Sequence, residues 1–183
     1  MSQSEDKWRT RNVIDHYEYW TTDAIKADLD SKRNDFRILI SNKFHDFNIG
    51  TVIRCSNAFL GKEVLIYGPS KTWDRRGTVG AHLYENLQHI KHIDELDFQG
   101  QKVIGIDNLP GSVPIETFEW PDEPFIMAFG QEQVGLPEEI LDICDDLVYI
   151  SQYGSVRSLN VGVAAGIAMY DYCSKKKLYN NAR

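Results

Sequence analysis

A chain of 183 residues, 42% of them hydrophobic, is long enough to bury one sizeable core and is expected to form a single domain. Its net charge of −7 and pI near 5.2 argue against holding nucleic acid by overall field, because phosphate contacts need lysine and arginine in number. No apolar run approaches the roughly 20 residues of a bilayer span, the N-terminal MSQSEDKWRTRN lacks the apolar stretch of a signal peptide, and Cys55, Cys144 and Cys173 show neither metal-ligand nor disulfide spacing; the expectation is a cytoplasmic protein with no metal and no membrane.

In chain order, residues 1–35 are polar, carry a short helix signal at TTDAIKADLD, and are expected to form an appendage. A domain over 36–174 and a basic tail over 175–183 should follow. Strand signals fall at FRILIS (36–41), EVLIYG (63–68), weakly at LQHIKH (87–92), then at KVIGID (102–107), PFIMAF (124–129) and DLVYIS (146–151). Segments of helical period lie between them, which is the pattern of an α/β domain with a mostly parallel sheet flanked by helices. The spacing predicts a helix in NIGTVIRCSNAFLG with Asn48 as N-cap and Gly61 just past its end. A second helix is expected in LPEEILDICDD, with Pro137 near its first position and Glu138 and Glu139 in its first turn. A third should begin at Leu159 behind Ser158 as cap, and Gly162, Ala164, Ala165, Gly166 and Ala168 make it thin enough for another backbone to approach.

Basic residues cluster locally at Lys7, Arg9 and Arg11, at Lys32, Arg33 and Arg37, at Lys71, Arg75 and Arg76, and at Lys175–Lys177 with Arg183. Each alone reads as a solvated face, and together they permit an RNA partner. On the first helix Gly50, Arg54 and Asn57 share a face, with a glycine gap one turn before an arginine. In FIMAFGQEQVGLPEEI a strand breaks at Gly130 into a loop holding Glu132, a place where open α/β sheets bind ligands. Neither a dinucleotide fingerprint nor a Walker loop is present.

These three segments, in this order, resemble the three motifs of the SpoU branch of the SPOUT methyltransferases, which methylate ribose 2′-hydroxyls of tRNA or rRNA with S-adenosyl-L-methionine. Asn48-Ile-Gly50-x-x-x-Arg54 stands for the first, Phe129-Gly130-x-Glu132-x-x-Gly135-Leu136 for the second, and Ile150 to Asn160, ending Ser158-Leu159-Asn160, for the third. RRGTVGAHLYENLQHI also resembles the segment after the family's second strand. Gln131 stands where asparagine is common, Ser151 and Gln152 replace a frequent Pro-Met, and Gly162 replaces a frequent serine.

The resemblance implies a C-terminal deep trefoil knot, a cofactor held by Gly130, Ile150, Ser158, Leu159 and Asn160, and a homodimer whose sites draw on both subunits. The thin helix would then serve the knot or the dimer. Methyl transfer to a hydroxyl needs that oxygen in line with the sulfonium methyl and its proton removed. Arg54, always charged, suits a fork on phosphate and hydroxyl better than a base, with Asn48 orienting it and Glu132 supporting the network. His45 lies just outside the motifs, and the base stays unassigned. A catalytically silent knotted RNA-binding module and an unrelated α/β enzyme of nucleotide metabolism are the alternatives.

Overall fold

The computed structural model describes residues 11–43, 47–132 and 134–178; His45, Lys7, Arg9 and Arg183 lie outside them. Seven strands, β1 (Phe36–Ser41), β2 (Glu63–Tyr67), β3 (Leu87–Ile90), β4 (Lys102–Ile106), β5 (Val113–Pro114), β6 (Phe125–Phe129) and β7 (Asp146–Tyr149), form one sheet in the order β3-β2-β1-β6-β4-β7-β5. Every pairing is parallel. The described α-helices are α1 (Thr22–Asp30), α2 (Asn48–Ala58), α3 (Glu138–Leu141) and α4 (Val161–Lys175). The α/β architecture is the one expected, and β5, two residues long, is the strand the sequence does not announce.

Continuous apolar runs become central strands because a parallel sheet is covered on both faces. β1 and β6 are buried at every residue. One face carries Ile38, Ile40, Met127 and Phe129 beneath α2 and α4, which contribute Ile49, Val52, Ile53, Ala165, Ala168 and Met169. The other carries Leu39, Leu65, Ile126 and Ala128 beneath Leu96, Leu136 and Ile140. α1 packs through Ile25 and Leu29 on Tyr17 and Tyr84 in a separate small cluster.

Three expected helix ends are corrected. α2 ends in a Schellman turn in which Leu60, not Gly61, takes the left-handed conformation (φ 54°). Leu60 N–H donates to the Asn57 carbonyl at 3.4 Å and Gly61 N–H to the Ser56 carbonyl at 2.9 Å. Gly61 has a packing reason instead, since a Cβ there would lie 2.5 Å from Ser56 Oγ and 2.9 Å from the Phe36 ring. At the other end of α2 the residue before the helix is Phe47 and makes no side-chain cap bond; Asn48 is the first helical residue, its side chain turned to partners across the fold. The third helix starts at Val161 with Asn160 as its cap, not at Leu159 behind Ser158, because an asparagine two residues later can accept from both exposed N–H groups of the first turn. The LPEEILDICDD helix is a single turn, with Pro137 immediately before it.

The thin helix is thin because α2 lies against it. A Cβ on Gly162 would meet Thr51 Cγ2 at 2.8 Å, and one on Gly166 would sit 3.4 Å from Cys55 Sγ. Gly50 serves the adjoining face of α2. Its Cβ would fall 2.9 Å from the Asp74 carbonyl oxygen and from Gly77 Cα, so the gap in that helix admits the backbone of residues 74–78. Among the described residues no helix is long and apolar enough to cross a membrane.

Candidate functional site

β6 ends at Phe129, and the chain turns at once. Gln131 and Gly135 exchange backbone hydrogen bonds of 3.0 and 2.8 Å across a closed loop. Gly130 sits so tightly against that loop's return that a Cβ would lie 2.0 Å from the Gly135 carbonyl carbon. Only glycine fits there. Asp107, just past β4, fastens the loop from outside: its Oδ2 accepts from Leu136 N–H at 2.8 Å and its Oδ1 from Asn108 N–H at 2.8 Å.

The carboxyl ends of β4, β6 and β7 thus surround a cleft of about 190 Å³ lined by Asp107, Gly130, Gln131, Glu132, Ile150, Gln152, Ser158 and Leu159 among others. Gly130, Ile150, Ser158 and Leu159 of the expected cofactor residues meet here. Asn160 does not line the cleft and has a different role. Asp107, Asn108 and Tyr149 also line it, and none belongs to the three motifs; the position of Asp107 at the carboxyl end of an apolar strand was the available signal.

Asn160 joins the three segments. Its Oδ1 accepts from Gly162 and Val163 N–H at 3.0 and 3.2 Å, capping α4. Its Nδ2 donates to Glu132 Oε1 at 2.6 Å and to Asn48 Oδ1 at 2.7 Å. Asn48 Nδ2 closes the triangle on Glu132 Oε2 at 3.3 Å. Each carboxylate oxygen of Glu132 therefore receives an amide donor, which suits a fixed anchor rather than a proton acceptor.

Arg54 is not part of this triangle. It stands exposed on α2, between Gly50 against residues 74–78 and Asn57 against Glu85, and its side chain makes no hydrogen bond or ion pair to a described residue. It does not line the cleft of its own chain.

Two residues that line the cleft, Gln131 and Gln152, each carry a buried side-chain oxygen, Oε1, with no hydrogen-bond partner. Unpaired buried acceptors carry a desolvation cost of about 1–3 kcal/mol each and point to a missing donor.

The basic clusters divide sharply. Arg33 pairs with Glu85 at 3.1 Å and Arg37 with Glu63 at 3.0 Å, both guanidinium groups being 4% exposed. Lys32, Lys175 and Lys176 pair with Asp28, Asp171 and Asp122, and Arg11 donates to the Trp20 carbonyl at 2.6 Å. Lys71 and Arg75 stay exposed. Among the described members of these clusters Arg33 and Arg37 are thus buried in the fold, whereas Lys32 and Arg76 keep 49% and 83% of their side chains exposed despite their pairs.

The sequence model of the SpoU rRNA Methylase family matches residues 35–170. The 23S rRNA (guanosine(2553)-2′-O)-methyltransferase RlmP of Bacillus subtilis is 32% identical over 134 residues, covering 67% of this chain and 52% of RlmP. The tRNA (guanosine(18)-2′-O)-methyltransferase of Aquifex aeolicus is 24% identical over 155 residues, 80% of this chain and 72% of that protein. Coverage of these relatives varies, and the chain spans about half of RlmP. Among solved structures, A. aeolicus TrmH/SpoU tRNA modifying enzyme superposes with a TM-score of 0.73 at 22% identity, covering 87% of this chain and 85% of that one. The SpoU methyltransferase AviRb of Streptomyces viridochromogenes, in complex with AdoMet, gives 0.71 at 23% identity over 82% of this chain and 61% of its own. With its match running through all three motifs and nearly the whole sheet, this chain belongs to the SpoU methylase family.

Proposed function

We propose that the protein transfers a methyl group from S-adenosyl-L-methionine to a ribose 2′-hydroxyl of tRNA or rRNA. The observation that carries this is the Asn48–Glu132–Asn160 triangle, which ties the three family segments together beside a cleft at the carboxyl ends of the strands. The relatives' printed activities on rRNA and tRNA riboses support the reaction class.

The cleft suits the cofactor on chemical grounds. S-adenosylmethionine presents amino, ammonium and hydroxyl donors, and Gln131 Oε1 and Gln152 Oε1 are buried acceptors without a donor. Gly130, Ile150 and Leu159 would offer backbone contacts to adenine and ribose, with Ser158 nearby. When bound, the cofactor supplies the electrophilic methyl on a sulfonium. The protein's part is placement: Glu132 and Asn160 fix the loop and the start of α4, and Arg54 holds RNA phosphate and hydroxyl through charge-assisted, forked hydrogen bonds.

Arg54 lies outside its own chain's cleft, and a homodimer in which the second subunit supplies it resolves this. Support comes from an apolar stripe on α4, where Val163, Ile167 and Tyr170 are 51%, 36% and 64% exposed at helical spacing, next to Phe59, whose ring packs on Tyr170. The family's trefoil knot is part of the same reading. It is supported by β6 lying between β1 and β4 and by the close passage of α4 over α2. A cytoplasmic location accords with a substrate of this kind.

Titration calorimetry with S-adenosylmethionine and S-adenosylhomocysteine tests the cofactor. One site per subunit is expected, and the absence of heat with either would refute the enzyme in favour of a silent RNA-binding module.

A further inference from the structure

The basic cluster of Lys71, Arg75 and Arg76 faces solvent, and it is organised. Residues 75–78 form a short 3₁₀ turn against α2, directly beside the Gly50 face that also bears Arg54. Arg75 makes no ion pair or hydrogen bond through its guanidinium to a described residue, and it lies over the Trp73 ring at 5.9 Å from the centroid. His82 approaches the same ring edge-on, with centroids 6.1 Å apart at 82°. Beside them Arg76, gripped by Asp74 through bonds of 2.5 to 3.0 Å, lies 6.0 Å from the centroid of the exposed Phe47 ring.

The hydrogen bonding fixes which way His82 faces. Thr78 is fully buried, and its hydroxyl donates to the Arg75 carbonyl at 2.8 Å. That proton is committed, so in the 2.7 Å contact with His82 Nδ1 the hydroxyl oxygen accepts and Nδ1 carries the hydrogen. Nε2 is left with a bare lone pair. Burial first, and the Arg75 charge second, hold this imidazole below its ordinary pKa, which favours its neutral form. The turn that sets this up includes Val79 at φ 47° followed by Gly80 at φ 91°. A β-branched residue in the left-handed region is a conformational outlier of the sort that gathers at binding sites.

We propose that Trp73, Arg75 and His82 form a docking site for one unpaired nucleotide of the RNA substrate, adjacent to the ribose held at Arg54. Trp73 and the Arg75 guanidinium plane stack the base, Arg75 takes a phosphate, and His82 Nε2 accepts from a base N–H or a 2′-hydroxyl. An unpaired nucleotide fits because stacking on an aromatic ring needs a base withdrawn from its helix, whereas duplex RNA hides its faces. This rests on the RNA-methyltransferase reading but depends on no cofactor.

The test is binding of a labelled, unstructured oligouridylate and of an RNA duplex, followed by anisotropy without cofactor. Oligouridylate is expected to bind more tightly than duplex, Trp73→Ala to weaken it about tenfold, and Arg75→Ala to lower the slope of log K against log salt by roughly 0.7. Trp73→Phe should retain most of the affinity. Equal affinity of wild type, Trp73→Ala and Arg75→Ala for oligouridylate, or tighter binding of duplex, overturns the site. Arg75 is exposed and its removal leaves the packing intact, so its result decides the matter even if Trp73→Ala fails to fold. S-adenosylhomocysteine titration of the same preparations separates the two readings: binding of that compound with no Trp73- or Arg75-dependent oligonucleotide affinity sinks only the docking site, and the converse sinks only the enzyme.

Discussion

Asn160 and Glu132, 28 positions apart in sequence, meet in a hydrogen bond of 2.6 Å that joins the start of the C-terminal helix to the loop after β6. The same asparagine caps that helix and reaches Asn48 at 2.7 Å, so one side chain holds a local and a tertiary position at once. Replacing it by alanine should remove a cap worth about 1 kcal/mol and release Glu132 from its anchor. Asn160→Ala is expected to fold, to lose roughly 1 to 2 kcal/mol in urea unfolding, and to bind S-adenosylhomocysteine at least about tenfold more weakly by calorimetry. Unchanged affinity would remove the triangle from the account of the cofactor site.

Gly130→Ala is expected to be the most damaging single-methyl change in the molecule. The added Cβ would fall 2.0 Å from backbone, which cannot step aside as a side chain can. Thermal unfolding should show a loss of about 3 kcal/mol or more, and any folded fraction should bind cofactor poorly. Gly162→Ala meets side chains rather than backbone, Thr51 Cγ2 at 2.8 Å, Thr51 Cβ at 3.0 Å and Asn160 Oδ1 at 3.2 Å, and should lose about 1 to 2 kcal/mol.

The N-terminal segment is attached to the site helix by charge. Glu85, with a fully buried side chain, receives Arg33 at 3.1 Å, Ser56 Oγ at 3.1 Å and Asn57 Nδ2 at 2.9 Å. Burial pushes its carboxyl above the usual range, and Arg33 and the two neutral donors pull it back. Glu85→Ala would leave the Ser56 and Asn57 donors without their acceptor and Arg33 with Asp30, at 2.6 Å, as its remaining carboxylate, and a loss of about 1 to 3 kcal/mol is expected in urea unfolding. Because the folded pKa is raised, the ionised carboxylate works against folding. The wild type should gain stability as pH falls from the folded pKa toward the unfolded value, and Glu85→Gln should lack that gain.

Thiol chemistry offers an independent check of packing. Burial pushes Cys144 and Cys173 to about 11 and raises Cys55 as well. At pH 8 few thiolates exist in the folded protein, so reaction with a disulfide reagent should be slow and accelerate as pH approaches 11. In denaturant all three should react at the ordinary rate. Rapid labelling of the native protein would mean that the sheet faces are looser than described.

What could be read from the sequence follows the physics of each signal. The strands β1, β2, β4 and β6 were legible because burial on both faces leaves nearly uninterrupted apolar runs. The two-residue β5 carries no such run. Helix ends were misread at Asn48, Gly61 and Ser158, each time because a residue suited to a local cap had a tertiary task or lay beside a better candidate. Leu60 accepts a left-handed conformation so that Gly61 can admit the Phe36 ring, a long-range demand that local propensity cannot express. The cleft residues Gly130, Ile150, Ser158 and Leu159 came from motif resemblance. Asp107 had a signal in its place at the end of an apolar strand, but the orphaned oxygens of Gln131 and Gln152 needed coordinates, since their significance lies in which groups they do and do not meet. The basic clusters were the least legible: Arg33 and Arg37 are indistinguishable from Arg75 in sequence, and only their burial separates them.

Methyl transfer to an RNA ribose, with Arg54 as the substrate-holding fork, can be followed through the methyl group itself. The most direct measurement is incorporation of labelled methyl from S-adenosylmethionine into total tRNA and rRNA by wild type and Arg54→Ala, followed by alkaline hydrolysis. Label is expected in alkali-resistant dinucleotides, as a 2′-O-methyl blocks cleavage at the adjoining phosphate. Arg54→Ala should lose about a hundredfold or more of the rate while folding and binding S-adenosylhomocysteine normally, because the lost contact acts in the transition state. Label confined to alkali-sensitive mononucleotides, no incorporation at all, or a near-normal rate from Arg54→Ala would contradict this reading.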